Sequence, residues 1–322
     1  MNPERMLELC RKGQWNIDRD LDWSATPREM APDEERAIVQ YFTDMAGIER
    51  FAGALFEEQR RRTEDPTLKK IFATFVADEE RHAKVAERLA AFYDVRKLQR
   101  YEMSPSLLAF QPHFLNALRY LSAEIANAYI TGGELILDVA LLRSINDFVH
   151  DTMSQRAMDL VNKDESRHIA VDYHMAEYYA SPEYQRWLES QPPRPFGETL
   201  AAWWTFANLL YHAKPFFEDV FLAPMSVVDP SGRRIREALK RFQLLAEKPE
   251  IAKRPFPRFM RRVRDVATHP VLGPVFGGVL ARVGGAPLEL LQVMFTAEEA
   301  KRARRMSFDE LAEEAVGAKA YC

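Results

Sequence analysis

The stretch Asp78-Glu79-Glu80-Arg81-His82 returns 86 residues later as Asp164-Glu165-Ser166-Arg167-His168, and this repetition decides the predicted fold. In each stretch a histidine follows a glutamate by three residues, and an aspartate precedes the glutamate. Side chains three residues apart lie on one face of a helix, so the glutamate and the histidine can reach a common ion. The neighbouring aspartate can accept the free N–H of a metal-bound imidazole. The repeated pattern therefore predicts a metal site built from two helices.

Helical periodicity surrounds both stretches. Apolar residues recur at steps of three and four, as on the buried face of a helix, over residues 32–62, 68–96, 113–148 and 152–180. Asp65 and Pro66 fit the cap and the first position of the second helix. The four helices pair into two hairpins that a longer connection, residues 97–112, joins. The sequence therefore predicts an all-α protein with a four-helix bundle and additional C-terminal helices.

Glutamates also stand in the apolar stripes of the other two helices. On the first helix the stripe passes through Glu49, which lies 30 residues before Glu79. On the third helix Glu134 lies 31 residues before Glu165, whereas the other inward carboxylate, Glu124, lies 41 residues before it. The matching spacing favours Glu134 as the fourth carboxylate and makes Glu124 its neighbour. A carboxylate on an apolar face costs several kcal/mol unless it is paired or binds metal.

One glutamate from each of two helices and a Glu-x-x-His pair from each of the other two is the ligand set of di-iron and di-manganese bundles. The predicted ligands are Glu49, Glu79, His82, Glu134, Glu165 and His168. Together with the doubled D-E-x-R-H pattern, they resemble the ferritin-like di-iron carboxylate superfamily over about residues 35–180. The resemblance implies a ferritin-like bundle, two iron ions or a manganese–iron pair, these six residues as ligands, and hydrogen bonds from the ligating histidines to Asp78 and Asp164.

The resemblance extends to several branches of that superfamily: bacterial multicomponent monooxygenases, acyl-carrier-protein desaturases, ribonucleotide reductase small subunits and di-iron N-oxygenases. Ala86 stands where the reductase subunits have a radical tyrosine, and Val161 stands where the N-oxygenases have a third histidine. Asp138 stands where the monooxygenases commonly have a threonine. No branch is favoured over the others, so the substrate and the outcome of the reaction stay open.

The third helix carries further polar residues on or near the face of Glu134, namely Glu124, Asn127, Thr131 and Asp138. One interpretation is a proton-delivery or substrate-binding wall beside the metals. The favoured alternative is hydrogen bonding around the ligands. Glu124 and Asp138 therefore join Asp78 and Asp164 as candidate residues that assist the metal ligands in catalysis.

The composition of the chain changes after Pro195. We expect residues 1–190 to form the bundle with an N-terminal extension, and residues 191–322 to form C-terminal helices packed on it in one structural domain. Between Arg233 and Arg264, twelve Lys and Arg stand against three Asp and Glu. Such a basic patch can dock an acidic reductase, a ferredoxin or an acyl carrier protein, although a solvated helix face is the favoured alternative.

Composition argues against several other classes. The net charge of -4 and the pI near 6.1 are unlike those of a general nucleic-acid binder. The two cysteines, Cys10 and Cys322, are too few for a disulfide scaffold or a cysteine-based metal site. The N-terminus does not resemble a signal peptide, and no uninterrupted apolar stretch reaches the length of a membrane span. We expect a cytoplasmic protein, with the aromatic segment 196–222 covering the bundle or forming a homodimer contact.

The sequence thus predicts an enzyme that activates dioxygen at a dimetal centre and oxidises an organic substrate, either a small molecule or an acyl group. Hydroxylation, desaturation, N-oxidation and oxidative cleavage are the candidate outcomes. The alternative is a non-catalytic protein that binds metal or docks a partner through the basic segment 233–264.

Overall fold

Helices make up the regular elements of the computed structural model, which describes residues 1–97, 100–284 and 291–318. No β-strand occurs in these ranges, so the all-α prediction is confirmed. The α-helices are α1 (Pro3–Lys12), α2 (Ile17–Asp20), α3 (Pro32–Arg62), α4 (Pro66–Tyr93), α5 (Pro105–Tyr120), α6 (Ala123–Leu135), α7 (Leu142–Val149), α8 (Thr152–Ala180), α9 (Pro182–Ser190), α10 (Phe196–Phe216), α11 (Ala223–Val228), α12 (Arg233–Ala246), α13 (Pro249–Ala252), α14 (Pro255–Ala267), α15 (Leu272–Gly284), α16 (Ala297–Arg305) and α17 (Phe308–Gly317). π-Helical turns, Ile136–Leu141 and Phe217–Leu222, continue α6 and α10.

Four long helical stretches pack side by side and position the site. α3 and α4 form one hairpin, in which Asp65 accepts backbone N–H groups at the start of α4 and Pro66 opens that helix. The second hairpin joins α6 and α7 to α8. His150, whose backbone is in the left-handed conformation, ends α7, and the Asp151 side chain caps the start of α8. α6 packs against α3 and α8, and α4 packs against α8. The predicted helices 32–62 and 152–180 are confirmed.

The predicted third helix is wrong at its start. The chain forms two helices there, α5 and α6, with a break between them. The break arises because Leu121 is extended and because the Ser122 hydroxyl caps α6 by accepting a backbone N–H of its first turn. The predicted connection 97–112 is correspondingly too long, since α5 already begins at Pro105.

The C-terminal helices pack on the bundle. α12 lies against α6 and the π-helical turn behind it, α17 lies against α8, and α10 lies against α5. The N-terminal ammonium group also reaches this part of the chain, 2.8 Å from Asp309 of α17. The division of the chain into residues 1–190 and 191–322 stays a prediction.

Acidic side chains pair with much of the basic segment 233–264. The pairs include Arg234–Asp147, Lys240–Glu299, Arg241–Glu314, Arg254–Glu124 and Arg261–Glu247. This pairing leaves fewer cations for a partner and agrees with the interpretation of the segment as a helix surface. Docking of a reductase, a ferredoxin or an acyl carrier protein stays a prediction.

One helical stretch within the described residues, Ala123–Val149, is long and apolar enough to cross a membrane by length and composition. However, 72% of its most apolar window is buried inside the protein. A core helix of a soluble protein passes the same test, so this finding is weak evidence for a span. The absence of a membrane span and the cytoplasmic location stay predictions.

Of the two cysteines, Cys10 is a buried free thiol, and Cys322 lies outside the described residues.

The aromatic segment 196–222 has exposed side chains. Trp203 and Trp204 are exposed on α10. Homodimer formation through this face stays a prediction.

Candidate metal centre

The six predicted ligands converge between the two hairpins. Their ligand atoms form two groups of four in which all atoms lie within 4.8 Å of one another. The groups are Glu49, Glu79, His82 and Glu165, and Glu79, Glu134, Glu165 and His168. Glu79 and Glu165 belong to both groups, so each of these carboxylates lies between two adjacent positions for an ion.

Several polar atoms of the centre lack the partners that burial normally requires. All six side chains are buried, none being more than 2% exposed. Among the described residues, both oxygens of Glu49, Oε2 of Glu79 and Oε2 of Glu134 have no hydrogen bond and no imidazole nitrogen within 3.5 Å. Buried carboxylates without a partner are strongly unfavourable, whereas two divalent cations would balance four of them. The donor set therefore fits a pair of metal ions.

The pKa values of the glutamates reflect this crowding. Burial and the nearby Glu79 carboxylate raise the pKa of Glu49 well above its ordinary value. Burial and Glu165 raise the pKa of Glu134 in the same direction. Burial also acts to raise the pKa of Glu165, but the positive charge of His168 and hydrogen bonds with Glu134, His168 and His82 together hold that pKa well below its ordinary value. Protons and metal ions compete for the same oxygens, so metal binding at this centre would release protons.

Each histidine turns one ring nitrogen toward the glutamates and the other toward an aspartate of the opposite hairpin. Nδ1 of both rings lies 3.0 Å from the nearest glutamate oxygen. Nε2 of His82 lies 3.0 Å from Oδ2 of Asp164, and Nε2 of His168 lies 3.5 Å from Oδ2 of Asp78. The pairing therefore crosses between the two motifs. Such an aspartate orients the imidazole and increases its basicity toward a metal.

Two arginines neutralise these aspartates. Arg81 contacts Asp78 and lies 3.1 Å from Asp164, while Arg167 contacts Asp164 and lies 3.8 Å from Asp78. Burial opposes ionisation of Asp164, but its bond to His82 and the charge of Arg167 hold its pKa well below the ordinary value. The sequence analysis assigned no role to the arginines. Their identical position in both repeated stretches was the signal that could have identified them.

The N-terminal helix and the residues after it close the histidine side of the centre. Nε1 of Trp15 donates to Oδ2 of Asp164 at 2.7 Å, and Nε2 of Gln14 donates to Oδ1 of Asp78 at 2.9 Å. The Arg81 guanidinium lies 5.1 Å from the centre of the Trp15 ring. Sequence reasoning missed Gln14 and Trp15, because they stand 64 and 149 residues from the aspartates that they contact.

Glu124 lies apart from the ligands. It stands in the first turn of α6, ten residues before Glu134 and hence about 15 Å away along the helix. Oε1 of Glu124 accepts a hydrogen bond of 2.8 Å from Nε of Arg254, and both side chains are largely buried. The structure therefore does not bring Glu124 together with the ligand groups.

The other polar residues of the third helix lie in its buried face. The Asn127 amide donates to the backbone carbonyl of Asp172, and the Thr131 hydroxyl donates to the carbonyl of Asn127. Asp138 is fully buried in the π-helical turn. Asp172 itself lies on the neighbouring helix α8, where burial raises its pKa well above the ordinary value. A role of Asp138 in catalysis stays a prediction.

An apolar cavity of about 370 Å³ borders the centre, which is within the ~300–1,000 Å³ typical of small-molecule sites. Glu49 and Glu134 line it, whereas the two histidines do not. Most of the wall is aromatic and aliphatic, with Phe51, Phe110, Phe216, Phe242 and Met260 among its members. The centre therefore has two sides, one of carboxylates open to the cavity and one of histidines closed by polar contacts.

Comparisons of this chain with protein-family models, with curated proteins and with solved structures found no match. A function must therefore be inferred from the centre and its cavity.

Proposed function

We propose that this protein is a non-haem dimetal oxidase or oxygenase of the ferritin-like di-iron carboxylate type, which uses dioxygen to oxidise an organic substrate. One observation carries the proposal. Two four-residue ligand groups share Glu79 and Glu165, and through Glu49 and Glu134 they border an apolar cavity. A shared pair of carboxylates would hold two ions close together, and the cavity would give an organic molecule access to them.

Iron is the metal that we propose, with a manganese–iron pair as the other option. Mixed carboxylate and imidazole donors suit iron and manganese, whereas sulfur donors are absent from both ligand groups. Glu49 and His82 would complete the donor set of one ion, and Glu134 and His168 that of the other. The two ions, when bound, would supply the redox chemistry that dioxygen activation needs.

The protein's own residues hold and isolate that chemistry. Asp164 and Asp78 fix the imidazoles with Nδ1 toward the glutamates that would hold the ions, and Arg81 and Arg167 balance the charge of the aspartates. The Phe75 ring packs against the His168 ring, with 4.1 Å between the ring centres, and so excludes water from that side. The apolar wall of the cavity would desolvate a substrate beside the carboxylates.

The proposal is tested by the reaction of the ferrous protein with dioxygen. The purified chain is loaded anaerobically with about two ferrous ions per chain, then mixed with oxygenated buffer while oxygen uptake and absorbance are followed. We expect oxygen uptake and a transient absorbance that Glu79→Ala abolishes. Glu80→Ala is the matched control, because Glu80 is the exposed neighbour of Glu79 in the same motif.

Oxidation no faster than that of ferrous ion in buffer would contradict the proposal. Uptake of many irons per chain would instead support the non-catalytic alternative, a protein that stores metal. A centre that binds metal and stabilises the fold without reacting with oxygen would support a structural metal site.

A further inference from the structure

We infer that the cavity binds an amphiphilic carboxylate, an aliphatic chain with an anionic head, and that Arg264 receives the head. This inference rests on the proposed function, since it names the class of substrate that the same centre would oxidise. The ligand is a free carboxylic acid rather than an acyl group attached to a carrier protein.

The cavity offers an extended apolar path along α6. Lining residues of α6 run from Glu124 to Glu134, ten residues that span about 15 Å. Aromatic residues of α10, α12 and α14 form the facing wall, and Tyr129 of α6 contacts Phe256 of α14 with ring centres 5.7 Å apart. A long apolar passage of this kind fits an aliphatic chain better than a compact polar substrate.

Two adjacent glycines make room at the metal end of this path. Gly132 and Gly133 stand within α6, directly before Glu134, and both line the cavity. A glycine inside a helix destabilises that helix relative to alanine. Packing does not require glycine at Gly133, because a Cβ there would have no described atom within 4 Å. The two glycines therefore keep open the space beside the ligand.

Among the described charged residues that line the cavity, Arg264 is the cation whose acidic contact is mostly exposed to solvent. Glu124 pairs with Arg254, and Glu247 pairs with Arg261. Arg264 lines the cavity and its side chain is only 19% exposed. Within the described residues its acidic contact is Asp265 at 3.5 Å, and that aspartate is itself mostly exposed.

An anionic head fits Arg264 for electrostatic and geometric reasons. A partly buried guanidinium gains most from a carboxylate that it can hold with two N–H groups. Arg261 lies one turn earlier on the same face of α14 and also lines the cavity, but its charge is balanced by Glu247. An amphiphile held in this way would place its chain among the apolar residues of the cavity wall.

Binding of matched ligands tests the inference without any turnover. Decanoate and 1-decanol are titrated calorimetrically into the purified, metal-loaded chain and into three variants. We expect decanoate to bind at least tenfold more tightly than 1-decanol, because only the acid can form charge-assisted hydrogen bonds with the guanidinium. Arg264→Gln should remove about that difference and leave 1-decanol binding unchanged. Gly133→Leu should weaken both ligands, because the added side chain enters the cavity.

Arg262→Gln is the matched control, since Arg262 is exposed on the same helix and does not line the cavity. It should change neither affinity. Equal binding of the acid and the alcohol, or an unchanged preference in Arg264→Gln, would overturn the inference. Binding of a decanoyl group on acyl carrier protein, with none of free decanoate, would overturn it as well.

Metal content and oxygen uptake are measured on the same preparations. A chain that holds two metals and consumes oxygen but does not bind decanoate would refute the substrate and leave the proposed function standing. A chain that binds decanoate but no metal would refute the proposed function instead.

Discussion

The two hairpins, one formed by α3 and α4 and the other by α6, α7 and α8, contribute the same kinds of predicted ligand. They differ in how tightly the chain packs around these residues. Each supplies one glutamate and one Glu-x-x-His pair. In the first, a Cβ at Gly53 would lie 3.3 Å from Cβ of Glu79, closer than side chains normally pack. In the second, Gly133 faces open space and a π-helical turn follows Glu134.

This difference indicates a division of labour between the hairpins. The first is a regular, closely packed pair of helices that fixes the ligand positions. The second has open space at Gly133 and an irregular π-helical turn, and it borders the cavity along α6 from Glu124 to Glu134, whereas the first borders it with residues of α3 around Glu49. π-Helical turns occur frequently at functional sites, where they locally change the direction of side chains.

Removal of a shared ligand should have the largest effect. Glu79→Ala and Glu165→Ala should each abolish binding of both ions, because each glutamate belongs to both ligand groups. Glu49→Ala and Glu134→Ala should each retain about one ion. Anaerobic calorimetric titration with ferrous ion measures the stoichiometry. If Glu49→Ala lost both ions while Glu134→Ala lost none, the two hairpins would not contribute equivalent ligands.

Removal of an aspartate should have a smaller effect, and the two hairpins should differ. Asp164→Asn should weaken binding of one ion about 10–100-fold, as is usual when the partner of a ligating histidine is changed. Asp78→Asn should weaken binding of the other ion by a smaller factor. The reason is that Oδ2 of Asp78 lies 3.5 Å from Nε2 of His168, whereas Oδ2 of Asp164 lies 3.0 Å from Nε2 of His82. Competition with a chelator measures both affinities, and a larger loss in Asp78→Asn would reverse the expected order.

The glycine variants should have the smallest effect and separate the hairpins most clearly. Gly133→Ala should raise the free energy of unfolding by about 0.5–1 kcal/mol, because alanine favours the helix and its methyl group meets no neighbour. Gly53→Ala should gain less stability and weaken metal binding, because its methyl group displaces Glu79. Denaturant unfolding and chelator competition measure these effects. Equal stabilisation without loss of metal in both variants would refute the difference in packing.

The sequence was sufficient to predict the parts of the site that depend on local periodicity. Steps of three and four residues on one helix face determine which side chains point inward, so the bounds 32–62 and 152–180 and the convergence of the six predicted ligands followed from spacing. The break before α6 was missed, although Ser122 is an ordinary helix cap.

Contacts between distant segments could not be predicted in this way. The spacing placed an aspartate beside each histidine, but it did not indicate that Asp164 holds His82 and Asp78 holds His168. Trp15 came from outside the bundle helices, and the pairing of Glu124 with Arg254 joins residues 130 positions apart. Periodicity determines which face of a helix is buried, whereas the partner on that face depends on tertiary packing.

The metal content of the purified chain tests the central claim most directly. Mass spectrometry and metal analysis are applied to the wild type, to the double variant His82→Ala/His168→Ala and to the control Glu80→Ala, each after anaerobic reconstitution with ferrous ion. We predict about two iron ions, or one manganese and one iron, per chain of the wild type and of Glu80→Ala, and a loss of metal in the double variant. A wild-type chain that holds no transition metal after reconstitution would contradict the account.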